Sequence, residues 1–123
     1  MQGTTLNEYQ AQAMTTCKPT SHNYVYMAEG MVGEMGEFTS KVAKAIRKGE
    51  LTINDNQLMA VNSDMDMTEL MNGLKGELGD ILWFVAGLAS VFGWKLDDVG
   101  YENLLKLQSR KARGKIEGDG DNR

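Results

Sequence analysis

Apolar residues recur at helical intervals over most of this chain. Tyr24, Met27, Met31, Met35, Phe38, Val42 and Ile46 follow one another at steps of three and four, which puts them on one face of an α-helix. The spacing predicts a long helix from about 24 to 48, with Gly49 as its stop. Ahead of it, Leu6, Tyr9, Ala13 and Met14 mark a shorter stripe. Thr5-Leu6-Asn7-Glu8 fits a capping box, in which a hydroxyl caps the helix and a glutamate three residues on reaches back. That first helix, about ten residues long, ends before Lys18-Pro19, because proline disfavours helix in the residue preceding it. Residues 49–65 show little periodicity. They are expected to form a connection, with at most one helical turn over 57–61, and a loop of that length is often functional or mobile. A third helix starts at Asp66 or Thr68 and runs to Phe92, where Gly93 stops it. Leu96, Val99, Tyr101, Leu104, Leu105 and Leu107 outline a fourth. Asp97 and Asp98 suit the positive end of its dipole, and Arg110, Lys111 and Arg113 the negative end.

The third helix differs from the others. From 81 to 92, Ile81, Leu82, Trp83, Phe84, Val85, Leu88, Val91 and Phe92 cover every face. A helix apolar all round is expected to be buried on all sides, and this one is too short for a membrane span of about 20 apolar residues. It reads as the central helix of an all-α bundle of four to five helices. In so small a domain, such a helix also argues against a monomer. Gly30, Gly33 and Gly36 each cost the second helix about 1 kcal/mol against alanine, which implies close approach of another backbone or a ligand. The expected organisation is a single domain over 1–123, with 49–65 a loop insertion and 114–123 a tail.

Composition narrows the function. A chain of 123 residues suits one domain. Its net charge of −4 argues against a nucleic-acid surface. The one cysteine, Cys17, cannot form an intrachain disulfide, so a reducing compartment is the default. Without a signal-peptide pattern or a membrane span, a cytoplasmic protein is expected. His22 is the only histidine, which excludes a histidine-based metal or catalytic set and leaves it a capping or surface role. Cys17 is read as a small buried residue, and Trp83 and Trp94 as core or subunit contacts.

The candidate chemistry lies in two carboxylate pairs. Glu34 and Glu37 are three apart on the second helix, and Glu77 and Asp80 three apart on the third, so each pair shares a face. One such pair means little, and Glu37 is also placed for a solvated ion pair with Lys41 four residues on. On adjacent antiparallel helices, however, the four carboxylates converge. Carboxylate oxygens are the donors a hard divalent cation requires, and helical bundles build metal sites from facing helices. On the fourth helix, Asn103, Lys106 and Arg110 fall on one face. An amide and two cations there suit phosphate oxygens, or form only a solvated basic helix end.

Glu-x-x-Glu, then Glu-x-x-Asp opening an apolar helix, then Asn-x-x-Lys-x-x-x-Arg resembles the all-α nucleoside triphosphate pyrophosphohydrolases of the MazG type. Leu6-Asn7-Glu8-Tyr9-Gln10, Gly33-Glu34-Met35-Gly36-Glu37, Glu77-Leu78-Gly79-Asp80-Ile81-Leu82-Trp83 and Gly118-Asp119-Gly120-Asp121-Asn122-Arg123 are similar to small single-domain members found in phages and bacteria. The resemblance implies hydrolysis of a nucleoside triphosphate, often a deoxynucleotide, to the monophosphate and pyrophosphate. It implies magnesium, or manganese, held by Glu34, Glu37, Glu77 and Asp80. It further implies Asn103, Lys106 and Arg110 as nucleotide and phosphate contacts, and a homodimer or homotetramer with sites near subunit contacts. On that reading Glu34 or Glu37 orients or deprotonates the attacking water, and Lys106 and Arg110 offset charge on the departing pyrophosphate.

Two features depart from the family. The connection between the carboxylate motifs is longer than usual. Gly30 and Gly73 stand where some members carry lysines, which leaves phosphate contacts to Lys41, Lys44, Lys48 or the tail. The rival class is a non-catalytic helical dimer whose acidic face binds a partner, with no magnesium dependence. A carboxylate-bridged di-iron bundle ranks last, since it normally uses Glu-x-x-His.

Overall fold

A computed structural model describes residues 3–121. Asn122 and Arg123 of the closing motif lie outside the described residues. Helix α1 spans Leu6–Met14, α2 Tyr24–Arg47, α3 Thr68–Val91 and α4 Leu96–Ala112. A hairpin of β1 (Leu51–Asn54) and β2 (Gln57–Ala60) joins α2 to α3. The architecture is mostly helical, as the periodicity requires.

Local signals set the helix ends. The capping box forms at α1: Glu8 N–H donates to Thr5 Oγ1 at 3.1 Å, and Thr5 N–H to Glu8 Oε2 at 3.0 Å. Asn23 caps α2 by accepting from Tyr26 N–H at 2.9 Å, which leaves His22 exposed. At α3 the nearest side-chain acceptor is Asp66, bonded to Thr68 N–H at 2.9 Å. Gly49 and Gly93 end α2 and α3 with φ of 74° and 73°. Each sits in a Schellman motif, with Glu50 N–H donating to Ala45 O and Trp94 N–H to Ala89 O at 2.9 and 2.8 Å.

Helices α2 and α3 pack antiparallel, since their partners run in opposite directions along the chain. Met27 lies against Gly87, and Gly30 against the Phe84 ring. Further along, Lys41 Nζ reaches Glu77 Oε1 at 3.4 Å. Met27 is completely buried. Of the three glycines on α2, only Gly30 makes the close approach expected of them; a Cβ at Gly33 or Gly36 would enter open space.

Helix α1 ties the start of α4 to the end of α3. The Gln10 amide donates to Ser90 Oγ at 3.0 Å and Trp94 O at 2.9 Å, and its carbonyl accepts from Leu96 N–H at 2.9 Å. Asn7 accepts from Asp97 N–H at 2.9 Å. Thus α4, which has no side-chain cap of its own, borrows two from α1. The Trp83 indole N–H meets Ala13 O and Thr16 Oγ1 at 3.2 and 2.9 Å, so Trp83 is an internal anchor. We expect Gln10→Leu to lower stability by about 1–3 kcal/mol, because it orphans the Leu96 N–H at a helix start. Exposed Gln12→Leu should stay within about 0.5 kcal/mol. Urea unfolding of both variants measures the difference.

Two expectations are corrected. Residues 51–60 are neither a loop nor a helical turn at 57–61; they are an antiparallel hairpin pairing Leu51 with Ala60 and Asn54 with Gln57. Asp55 and Asn56 take φ of 48° and 63°, the two left-handed residues of a tight two-residue hairpin turn. Leu51 is buried, and β1 packs against the end of α2. Helix α3 is also not buried on all sides within one chain. Leu74, Phe84, Ala86, Gly87 and Ala89 are buried, but Leu78 is 57% exposed, and Leu82 and Phe92 are exposed too. The reason is that α4 leaves α3 at about 100° and packs on α1 instead. No single helix is long and apolar enough to cross a membrane.

Candidate active site

Phe84 on α3 seats its ring against Gly30 on α2. One turn further along α2 stands Glu34; one turn back along α3 stands Asp80, with Glu77 a turn before that. Close approach at Gly30 therefore brings these carboxylates face to face. Oxygen atoms of Glu34, Glu77 and Asp80 all lie within 4.8 Å of one another. Glu34 and Glu77 are half-buried and Asp80 is exposed. Tyr26, Glu34, Asp80, Trp83 and Phe84 line an adjoining pocket of about 280 Å3.

The charges are unbalanced. Burial holds the Glu34 carboxyl above its usual range, helped by hydrogen bonding with Glu77 and by the negative charges of Asp80, Glu77 and Glu37. Burial, then the charge of Asp80, likewise raises the Tyr9 phenol. Against three acidic groups stands Lys41, 3.4 Å from Glu77, its stem lying over Gly73. Three converging hard oxygen donors with surplus negative charge fit a divalent cation of the magnesium or manganese type.

The remaining expected residues lie elsewhere. Glu37 is exposed and outside the converging trio, although its charge reaches Glu34. Lys41 pairs with Glu77, not with Glu37 as its spacing allowed. Asn103 and Lys106 line a separate pocket of about 640 Å3 beside Trp94 and Lys95. Arg110 is buried, 5% exposed, and bonded to Asp121. The chain thus gathers three of the four carboxylates and does not bring the α4 set to them. Tyr9 and Tyr26 are neighbours of the cluster that sequence reasoning missed. Tyr26 had a signal, since it lies two turns before Glu34 on the same helix face; Tyr9, on another helix, had none.

The raised Glu34 carboxyl makes stability depend on pH. The native chain keeps the Glu34 proton to higher pH than the unfolded chain does. Its contribution therefore favours folding at acid pH and is lost as pH rises through its native titration. A cation reverses that loss near neutrality. We expect magnesium or manganese to raise the melting temperature of the native chain at pH 7.5, and to do so much less for Glu34→Gln. With chelator present, native stability should fall relative to the variant as pH rises from the carboxylate range. A melting temperature indifferent to both cations would contradict the metal site.

The model of the MazG nucleotide pyrophosphohydrolase domain matches residues 23–114, a span that holds both carboxylate motifs and Asn103, Lys106 and Arg110. The chain is 43% identical over 98 residues to the Gene 37 protein of Mycobacterium phage L5, covering 80% of this chain and 75% of that protein. No solved structure gives a significant match. With a family match over three helices and a close phage relative, the chain belongs to the MazG nucleotide pyrophosphohydrolase family.

Proposed function

We propose that this protein, as a single domain over 1–123, hydrolyses nucleoside or deoxynucleoside triphosphates to the monophosphate and pyrophosphate, with magnesium as its cation. The observation that carries the reading is the convergence of Glu34, Glu77 and Asp80 across α2 and α3. These three would hold the cation, with Glu37 one turn away as a further carboxylate. When bound, magnesium supplies positive charge for phosphate oxygens and acidifies water. Water attacks the α-phosphorus; a new O–P bond forms as the bond to the α,β-bridging oxygen breaks, and pyrophosphate leaves. Glu34 or Glu37 orients that water and accepts its proton. Lys41 stands beside Glu77 to meet phosphate oxygens, and Asn103, Lys106 and Arg110 form the second phosphate-contacting group.

Self-association into a dimer or tetramer accounts for two further features. Val32 is 71% exposed, and Met35, Leu78 and Leu82 are exposed with it on α2 and α3, a large apolar surface for a monomer. The α4 set stands away from the carboxylates of its own chain, so a second chain is needed to complete the site. Light scattering during gel filtration should give two or four times the mass of 13.6 kDa, and a monomer at micromolar concentration would contradict this assembly. The role that fits is nucleotide-pool sanitation or, in a phage setting, adjustment of the pool toward one base. Anion-exchange separation of the products from the eight common triphosphates tests the activity. Monophosphate and pyrophosphate are expected; diphosphate with orthophosphate would overturn the reading.

A further inference from the structure

Helix α4 ends at Gly114, whose φ of 64° turns the chain back on itself. Gly114 N–H donates to Lys111 O at 3.2 Å, and Lys115 N–H to Arg110 O at 2.8 Å, again a Schellman stop. A turn closed by Gly118 N–H to Lys115 O at 3.2 Å, and Gly120 at φ 76°, carry the chain on to Asp121. There Arg110 Nη2 donates to both Asp121 O at 3.1 Å and Asp121 Oδ1 at 3.2 Å. Lys106 Nζ lies 3.7 Å from the same carboxylate oxygen. One carboxylate oxygen thus serves both cations of the α4 face.

Exposure separates the partners. Asp121 has 88% of its side chain exposed and Lys106 45%, but Arg110 only 6%. Among the described residues, Arg110 Nε is buried without a hydrogen-bond partner. The Arg110 Nη2 that would meet a phosphate is engaged by Asp121, so a phosphate and Asp121 compete for the same donor.

We propose that residues 114–121 form a removable anionic strap, in which Asp121 occupies the Lys106–Arg110 anion site until the phosphates of the substrate displace it. The proposal rests on the reading of this chain as a triphosphate pyrophosphohydrolase and adds regulation of that same site. The chemistry favours exchange. An exposed carboxylate in an ion pair is held weakly, but tethering gives it a high effective concentration. A pyrophosphate group carries more charge, presents several oxygens to both cations, and gives the idle Arg110 Nε an acceptor. The charge of Lys106 and the hydrogen bond from Arg110 hold the Asp121 carboxyl below its ordinary range, so it stays anionic at neutral pH.

Inorganic pyrophosphate is the probe, used on the full chain with chelator so that the carboxylate cluster does not contribute. Hydrogen exchange of the native chain should show residues 114–121 losing protection when pyrophosphate is added. In calorimetric titration Asp121→Asn should bind pyrophosphate about three- to tenfold more tightly than native, because the competing anion is gone. Strap amides equally protected with pyrophosphate bound, no binding at all, or affinity unchanged or weakened in Asp121→Asn would each overturn the strap. The exchange result needs no variant, so misfolding of Asp121→Asn would not decide the matter. Nucleotide turnover with a strap that never opens would sink the strap alone; a strap opened by pyrophosphate in a chain that cleaves no nucleotide would uphold it and sink the hydrolase reading.

Discussion

Glu34→Gln is expected to abolish nucleotide hydrolysis, by about 10³-fold or more in kcat/KM, while making the metal-free protein more stable. A loss of that size is about 4 kcal/mol of transition-state stabilisation. It follows because Glu34 is proposed both to hold the cation and to serve the water. The opposite sign for stability follows from the cluster itself. Glu34, Glu77 and Asp80 crowd their oxygens within 4.8 Å, and burial with like charges raises the Glu34 carboxyl. An amide removes one charge from that crowd and keeps the shape. Activity assays and melting curves with chelator, run on the same preparation, read both effects. A variant that lost activity and also melted earlier without metal would show Glu34 to be structural.

Gly30→Ala and Gly33→Ala should move stability in opposite directions, although they make the same change on one helix. A Cβ at Gly30 runs into the Phe84 ring. Phe84 is buried and touches Trp83 edge to face at 5.0 Å, so the ring has little room to yield, and overpacking there should cost about 1–3 kcal/mol. A Cβ at Gly33 meets nothing, and the substitution should gain up to about 1 kcal/mol in helix propensity. Gly30→Ala should also weaken cation binding, because pushing α2 off α3 separates Glu34 from Asp80. Chemical unfolding and a metal titration of the two variants check both halves.

What the sequence made legible was local. The Thr5–Glu8 box, the glycine stops at 49 and 93 and the two carboxylate pairs each depend on residues within one turn, where helical spacing decides the geometry. The same spacing placed Lys106 and Arg110 on one face, and both do reach Asp121. It said nothing of where that face points, because the 100° departure of α4 from α3 is held by Asn7 and Gln10, some 90 residues away in sequence. The hairpin was missed for a different reason. Its strands are four residues each, and its turn uses Asp-Asn instead of a glycine, so Asn54-Asp55-Asn56 read as a generic loop. The apolar surround of α3 was legible as a sequence pattern and argued against a monomer, but which of its residues stay exposed within one chain, Leu78 and Leu82 among them, depends on where α4 packs and could not be read from spacing.

Hydrolysis in 18O-labelled water, with mass analysis of both products, tests the central claim most directly. Attack at the α-phosphorus predicts one labelled oxygen in the monophosphate and none in the pyrophosphate, with magnesium required and Glu34→Gln silent. Label in the pyrophosphate, or no turnover of any triphosphate by the native chain, would contradict it.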